Sequence, residues 1–158
     1  MTETIQRRLG RPFDPAELRR IKRLWVRHSI AEDRQDIDGL MATLSEECVY
    51  EIVPTGQRWE GHAGARAFYM ELFGAFPDNA FALSEIVVGP QGVFEVATLT
   101  GTNQGPWAGA APTGMPVALE VLILFPWDPA TERFTGERIW FDRGAIASEG
   151  VDPPTATR

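Results

Sequence analysis

Four consecutive extended segments fill the second half of the chain, and they constrain the fold more than any other feature. Residues 81–88, 93–102, 117–125 and 134–142 alternate or run apolar, as half-buried or doubly covered strands do. Gly89-Pro90-Gln91-Gly92 and Asp128-Pro129-Ala130-Thr131 read as tight turns, and a Gly/Pro-rich loop runs from Gly105 to Gly114. The first half is helical in pattern. Asp14-Pro15-Ala16-Glu17 reads as a cap, a first-turn proline and an acidic third position. Leu18, Ile21, Leu24, Trp25 and His28 then follow at helical spacing. Asp36 can cap a second short helix carrying Ile37, Leu40, Met41 and Leu44, and residues 65–73 form a third run that stops near Pro77. A short strand over 48–53 lies between these last two. Helices followed by a four-strand meander mean an α+β fold, with helices packed on one face of an antiparallel sheet. Strong bending of the long strands would turn the enclosed space into a cone with an open mouth. The expected division is a flexible arm over 1–13, one domain over 14–147 and a flexible tail over 148–158.

Composition narrows the function classes. The 158 residues carry 15 Lys+Arg against 22 Asp+Glu, a net charge of −7, which argues against nucleic-acid binding. A single cysteine, Cys48, excludes an intramolecular disulfide and a Cys-based zinc cluster. The two histidines, His28 and His62, lack metal-ligand spacing, so no metal and no cofactor is expected. The basic, polar N-terminus has no apolar core of a signal peptide, and no stretch is apolar enough to span a membrane. The expected compartment is the cytoplasm. No phosphate loop and no Gly-x-Ser-x-Gly elbow occurs.

The candidate chemistry lies on the last strand. Side chains alternate, so Arg138, Trp140 and Asp142 share one face, while Glu137, Ile139 and Phe141 share the other. Parity alone leaves open which face is buried. With the first set inward, Asp142 could move a proton on a bound ligand. With it outward, Asp142 ends the strand in solvent and Arg138 is a surface cation. His28, on the apolar stripe of the first long helix, reads as a core or rim residue or as a polar lining group. His62 reads as a turn residue in a Gly-flanked loop. Tyr50 is expected to face inward with Ile52. Asn103 and Gln104 could bind a ligand carbonyl or satisfy turn backbone. Among five tryptophans, Trp107 and Trp59 suggest an aromatic rim.

Taken together, these segments resemble the SnoaL-like polyketide cyclases of the nuclear transport factor 2-like superfamily. The resemblance runs from about Leu24 to about Ala147. It rests on residues 36–40 through Tyr50, 59–64, 76–78, 101–107, Pro112-Thr113-Gly114 and 137–142. It implies a cystatin-like α+β barrel, a strongly curved antiparallel sheet closed into a cone-shaped pocket by the N-terminal helices. It also implies cofactor-free acid/base chemistry, of cyclase, isomerase, aldol or hydrolase type, on a hydrophobic carbonyl or polycyclic metabolite. On this alignment Asp142 matches the family's acid/base aspartate. Arg138, Asn103 and Gln104 would orient oxygen atoms, with Trp25, His28, Tyr50, Trp107 and Trp140 as substrate lining. A limonene-epoxide-hydrolase-like set is disfavoured, because its closing acid would fall near Ile139. A non-catalytic ligand-binding or dimerisation module of the same fold is the competing class. The strand over 117–125, with Glu120 its only charge, predicts a homodimer through the sheet.

Overall fold

The computed structural model describes residues 4–147. The tail expected over 148–158 lies outside them. Within the expected arm, a short helix, α1 (Ile5–Leu9), is capped by Thr4, whose Oγ1 accepts from Arg7 N at 3.4 Å. All five of its residues are exposed, which explains why no apolar stripe announces it. The next helix, α2 (Pro15–Asp33), starts at its cap: Asp14 Oδ1 accepts from Ala16 N at 2.8 Å. Its stripe of Ile21, Leu24 and His28 is buried and continues one turn further to Glu32. Asp36 caps α3 (Ile37–Met41) through Gly39 N at 3.0 Å.

The chain then forms β1 (Leu44–Ile52), β2 (Gln57–Glu60), α4 (Gly61–Ala75) and four long strands. These are β3 (Ala80–Gly89), β4 (Gly92–Thr102), β5 (Pro116–Asp128) and β6 (Arg133–Phe141), followed by α5 (Gly144–Ala147). One open, curved sheet in the order β2-β1-β6-β5-β4-β3 contains them all. The meander from β3 to β6 is antiparallel, but β1 pairs with β6 in parallel, correcting the expectation of a wholly antiparallel sheet. The reason is connectivity. The chain leaves β1, crosses by way of α4 and the meander, and returns beside β1 in the same direction. Strand β2 is short, polar and at an edge, so its sequence carries little alternation. Helix α4 begins one turn earlier than its apolar pattern suggests. His62 therefore sits in its first turn, with Nε2 3.3 Å from Leu44 O, and not in a loop.

The register decides the parity that the sequence left open. Ile139 pairs with Ile123 and Phe141 with Val121, and all four are buried on the concave face. Glu137 shares that face, while Arg138 and Trp140 point outward. Gly136, at φ +115°, allows this approach: a Cβ there would overlap the Val49 carbonyl oxygen of β1. The core thus lies between the concave face and helices α2 and α4, around Ile21, Leu40, Phe68, Leu72, Phe125 and Phe134. Among the described residues, no helix is long and apolar enough to cross a membrane.

Candidate functional site

Four polar side chains from four elements meet inside this core. Glu137 of β6 is 2% exposed, yet its Oε1 has three partners. Tyr69 of α4 donates to it at 2.8 Å, Tyr50 of β1 donates at 2.9 Å, and His28 Nε2 of α2 lies at 3.0 Å. The two tyrosine hydroxyls are also 3.0 Å apart. The other histidine nitrogen fixes the tautomer. Thr43 Oγ1 donates its proton to Leu40 O at 2.7 Å, so His28 Nδ1, 2.7 Å from Oγ1, is the donor in that contact. Nε2 lies 3.0 Å from both the Tyr69 hydroxyl and Glu137 Oε1, so the ring is held at both of its nitrogens. All three contacts fall on Oε1, and Oε2 has no donor among the described residues. Burial and the neighbouring Glu137 charge push the Tyr50 and Tyr69 hydroxyls well above the usual phenol range. Both tyrosines therefore remain neutral donors.

His28 connects this cluster to a cavity of about 50 Å³ between α2 and strands β3 to β5. Trp25, Phe81 and Phe125 supply aromatic walls, and His28, Glu32 and Glu95 bring polar atoms to it. Glu95 is held by Trp25, whose Nε1 donates to Oε2 at 2.7 Å. Burial pushes the Glu95 carboxyl from 4.5 to about 7, outweighing the Trp25 hydrogen bond, with the Glu137 charge acting in the same sense as burial. Glu32 is 9% exposed, and burial, then the charges of Glu137, Glu95 and Asp33, raise it well above the carboxylate range. A water needs about 10–15 Å³ on this measure, so the cavity holds roughly three or four heavy atoms. A polycyclic ligand does not fit within it.

The residues expected from sequence divide into two groups. His28 and Tyr50 join the cluster around Glu137, and Trp25 lines the cavity. Asp142 and Arg138 do not, which corrects the expectation that an inward-facing Asp142 carries the proton. Asp142 is exposed, and its Oδ1 accepts from Gly144 N at 2.8 Å to start α5. Arg138 faces solvent, paired with Glu51 at 3.0 Å and stacked on Trp140 at 5.1 Å. Trp140 thus belongs to the outer face. Asn103 is buried, but its amide serves the loop: it donates to Gly105 O at 2.9 Å and accepts from Thr113 N at 2.8 Å. Gln104 is exposed. Trp107 is 4% exposed and packs on Phe68 and Phe76, so it plugs the core and forms no rim. Trp59 packs on Phe68 with its Nε1 donating to Glu71 at 3.2 Å.

The sequence reading missed Glu32, Glu95 and Glu137 as site residues, although each stands on an apolar face. Glu32 follows His28 by one helical turn, Glu95 shares parity with Val93 and Ala97, and Glu137 with Ile139 and Phe141. A wider depression of about 740 Å³ near His62 and Arg133 gathers no buried polar group. Among the described residues, no three His, Cys, Asp or Glu side chains are grouped to hold a metal ion.

A family model for SnoaL-like polyketide cyclases matches residues 18–149. A SnoaL-like protein from Jannaschia sp. CCS1 is 24% identical, with 89% of this chain and all of that chain covered at a TM-score of 0.73. An NTF2-like protein from Burkholderia xenovorans LB400 is 19% identical, with 82% and 94% covered and a TM-score of 0.66. AclR from Streptomyces galilaeus is also 19% identical, with 82% and 93% covered and a TM-score of 0.66. At these identities the structural likenesses speak to fold alone. No curated protein matches the chain in sequence.

Proposed function

The chain belongs to the SnoaL-like polyketide cyclase family, and from that premise we propose that it is a cofactor-free acid/base enzyme for a small metabolite. One observation carries the reading: Glu95 reaches the cavity with its carboxyl raised to about 7. A proton carrier works best when its pKa lies near the operating pH, because it can then both take up and release the proton. Glu95 takes the proton, and Glu32 faces the same space. His28 closes one wall, its ring fixed by Thr43 on one side and by the Glu137 cluster on the other. The reacting carbon is activated by a carbonyl group or by its imine equivalent. The cavity takes only this end of the molecule, and any larger hydrophobic body stays outside it.

The test is hydrogen–deuterium exchange. A panel of small ketones and their imines in D₂O at neutral pD is followed by proton NMR for loss of the signal next to the activating group. The wild-type chain is expected to accelerate exchange for at least one member, and Glu95→Gln to slow it by about 10²–10⁴. Exchange no faster than buffer across the panel contradicts the enzyme reading. That outcome favours the second reading, a non-catalytic binding or dimerisation module, which the solvent-facing Asp142 and Arg138 support. On either reading we propose a homodimer through the outer sheet face. There Phe94, Val96, Leu122, Leu124 and Trp140 are only half-buried in the single chain.

A further inference from the structure

The cavity is charged in one sense only. Glu32 and Asp33 from α2 and Glu95 from β4 line it, and Glu137 of β6 stands behind His28. The parts of β3 and β5 that face it, Phe81, Leu83 and Phe125, carry no charge. No Lys or Arg lines it, and none of the described residues forms an ion pair with Glu32 or Glu95. Glu32 is the telling residue. It is more than nine-tenths buried and lines the cavity, yet neither carboxyl oxygen has a hydrogen-bond partner among the described residues. Its carboxyl oxygens are not among the fully enclosed atoms, so the accessible part of this side chain is open to a ligand in the cavity it lines.

We propose that the cavity takes the cationic nitrogen end of its ligand, a protonated imine or ammonium group of three to four heavy atoms seated between Glu32 and Glu95. Trp25, Phe81 and Phe125 offer ring faces and edges to the apolar part, and aromatic rings also attract a cation. The inference rests on the acid/base reading in one respect: both take this cavity as the ligand site. It then chooses between the two activating groups. Proton abstraction next to a neutral carbonyl leaves an oxyanion in a cavity that no Lys or Arg lines, with Asp33 at its wall and Glu137 behind His28. Next to a protonated imine the balance differs. The C–H bond breaks, its proton goes to the Glu95 carboxylate, and its electron pair forms the new C=C bond. The C=N π pair becomes the nitrogen lone pair, giving a neutral enamine. Both charges are neutralised in one step, and no oxidant or reductant is needed. Binding also has a signature. A cation beside Glu32 and Glu95 draws both carboxyls back toward ionisation, so binding releases protons and strengthens as pH rises.

Three probes of the same size and branching separate the possibilities: isopropylammonium, acetone and acetate. Each is titrated into the full chain and followed by NMR at the Trp25 indole N–H, which contacts Glu95. Isopropylammonium is expected to bind about tenfold or more tightly than acetone, with acetate weakest, and its affinity should rise severalfold from pH 6 to pH 8. Glu32→Gln should weaken it by about tenfold. This variant removes no hydrogen bond, and a melting curve verifies that it folds. Acetone binding as tightly as isopropylammonium, or an unchanged affinity in Glu32→Gln, overturns the cation assignment and leaves the acid/base reading standing. Absence of binding by all three probes also overturns the assignment. The exchange experiment then decides the acid/base reading on its own.

Discussion

Replacing Glu137 by Gln tests whether the buried cluster is an interdependent unit. The substitution keeps the side chain's volume and leaves an oxygen for Tyr50 and Tyr69, now 2.9 and 2.8 Å from Oε1. What it removes is the carboxyl group that faces His28 Nε2 across 3.0 Å. Hydrogen bonds to a charged group contribute about 1.5–3 kcal/mol and neutral ones about 0.5–1.5, so each hydroxyl contact weakens by roughly 1 kcal/mol. His28 Nε2 meanwhile faces a neutral amide where the carboxyl group stood, with Nδ1 already committed to Thr43. Breaking one side of a buried charged pair costs about 3–5 kcal/mol in all. A domain of this size shifts by about 2–4 °C per kcal/mol, so the melting temperature should fall by roughly 6–20 °C. Circular dichroism melts and urea titrations measure this. His28→Gln in the same background should then add less than it does alone, since the two residues share one interaction. A Glu137→Gln variant melting within about 2 °C of wild type, or strict additivity of the pair, would refute the reasoning.

The raised carboxyls predict an unusual pH profile. A folded-state pKa above the unfolded one means that the unfolded chain releases its proton first, so stability falls as pH rises between 4.5 and about 7 and is flat above. Glu95 alone is worth roughly 3 kcal/mol over that window, and Glu32 acts in the same direction. Glu95→Gln should match wild type near pH 4.5 and exceed it at pH 8, as read by thermal melts; a variant no more stable at pH 8 contradicts the assignment. Asp142→Asn and Arg138→Ala should change stability by no more than about 1 kcal/mol and leave isopropylammonium binding unaltered, because both residues face solvent. Leu122→Lys, on the outer face, should shift a dimer to monomer in sedimentation equilibrium; a wild-type monomer at tens of micromolar contradicts the sheet-face interface.

The legible parts of this chain were those written in strong local signals. Asp14-Pro15 and Asp36 cap helices where the capping rules place them, and the turns at 89–92 and 128–131 close the strands on either side. Strand β2 and helix α1 were illegible because neither buries a regular stripe. The parallel pairing of β1 with β6 depends on a contact between distant segments, which no local window contains. The site was lost on one binary choice. Residues 137–142 carry charge on both faces, and the register with β5 alone turns Glu137 inward and Arg138 outward. Reading each charged residue against the apolar parity of its own strand or helix would have marked Glu32, Glu95 and Glu137 together.

The titration of Glu95 bears most directly on the account, because an acid/base role at neutral pH depends on that one carboxyl. Chain labelled with ¹³C at the glutamate carboxyl, with Glu95→Gln as the assignment control, gives its midpoint by NMR between pH 4 and 9. The expected midpoint is near 7, with the signal absent from the variant. A midpoint near 4.5, the ordinary value for a glutamate, would mean that Glu95 holds a proton only weakly at neutral pH, and the match that singles it out as the proton carrier would be lost.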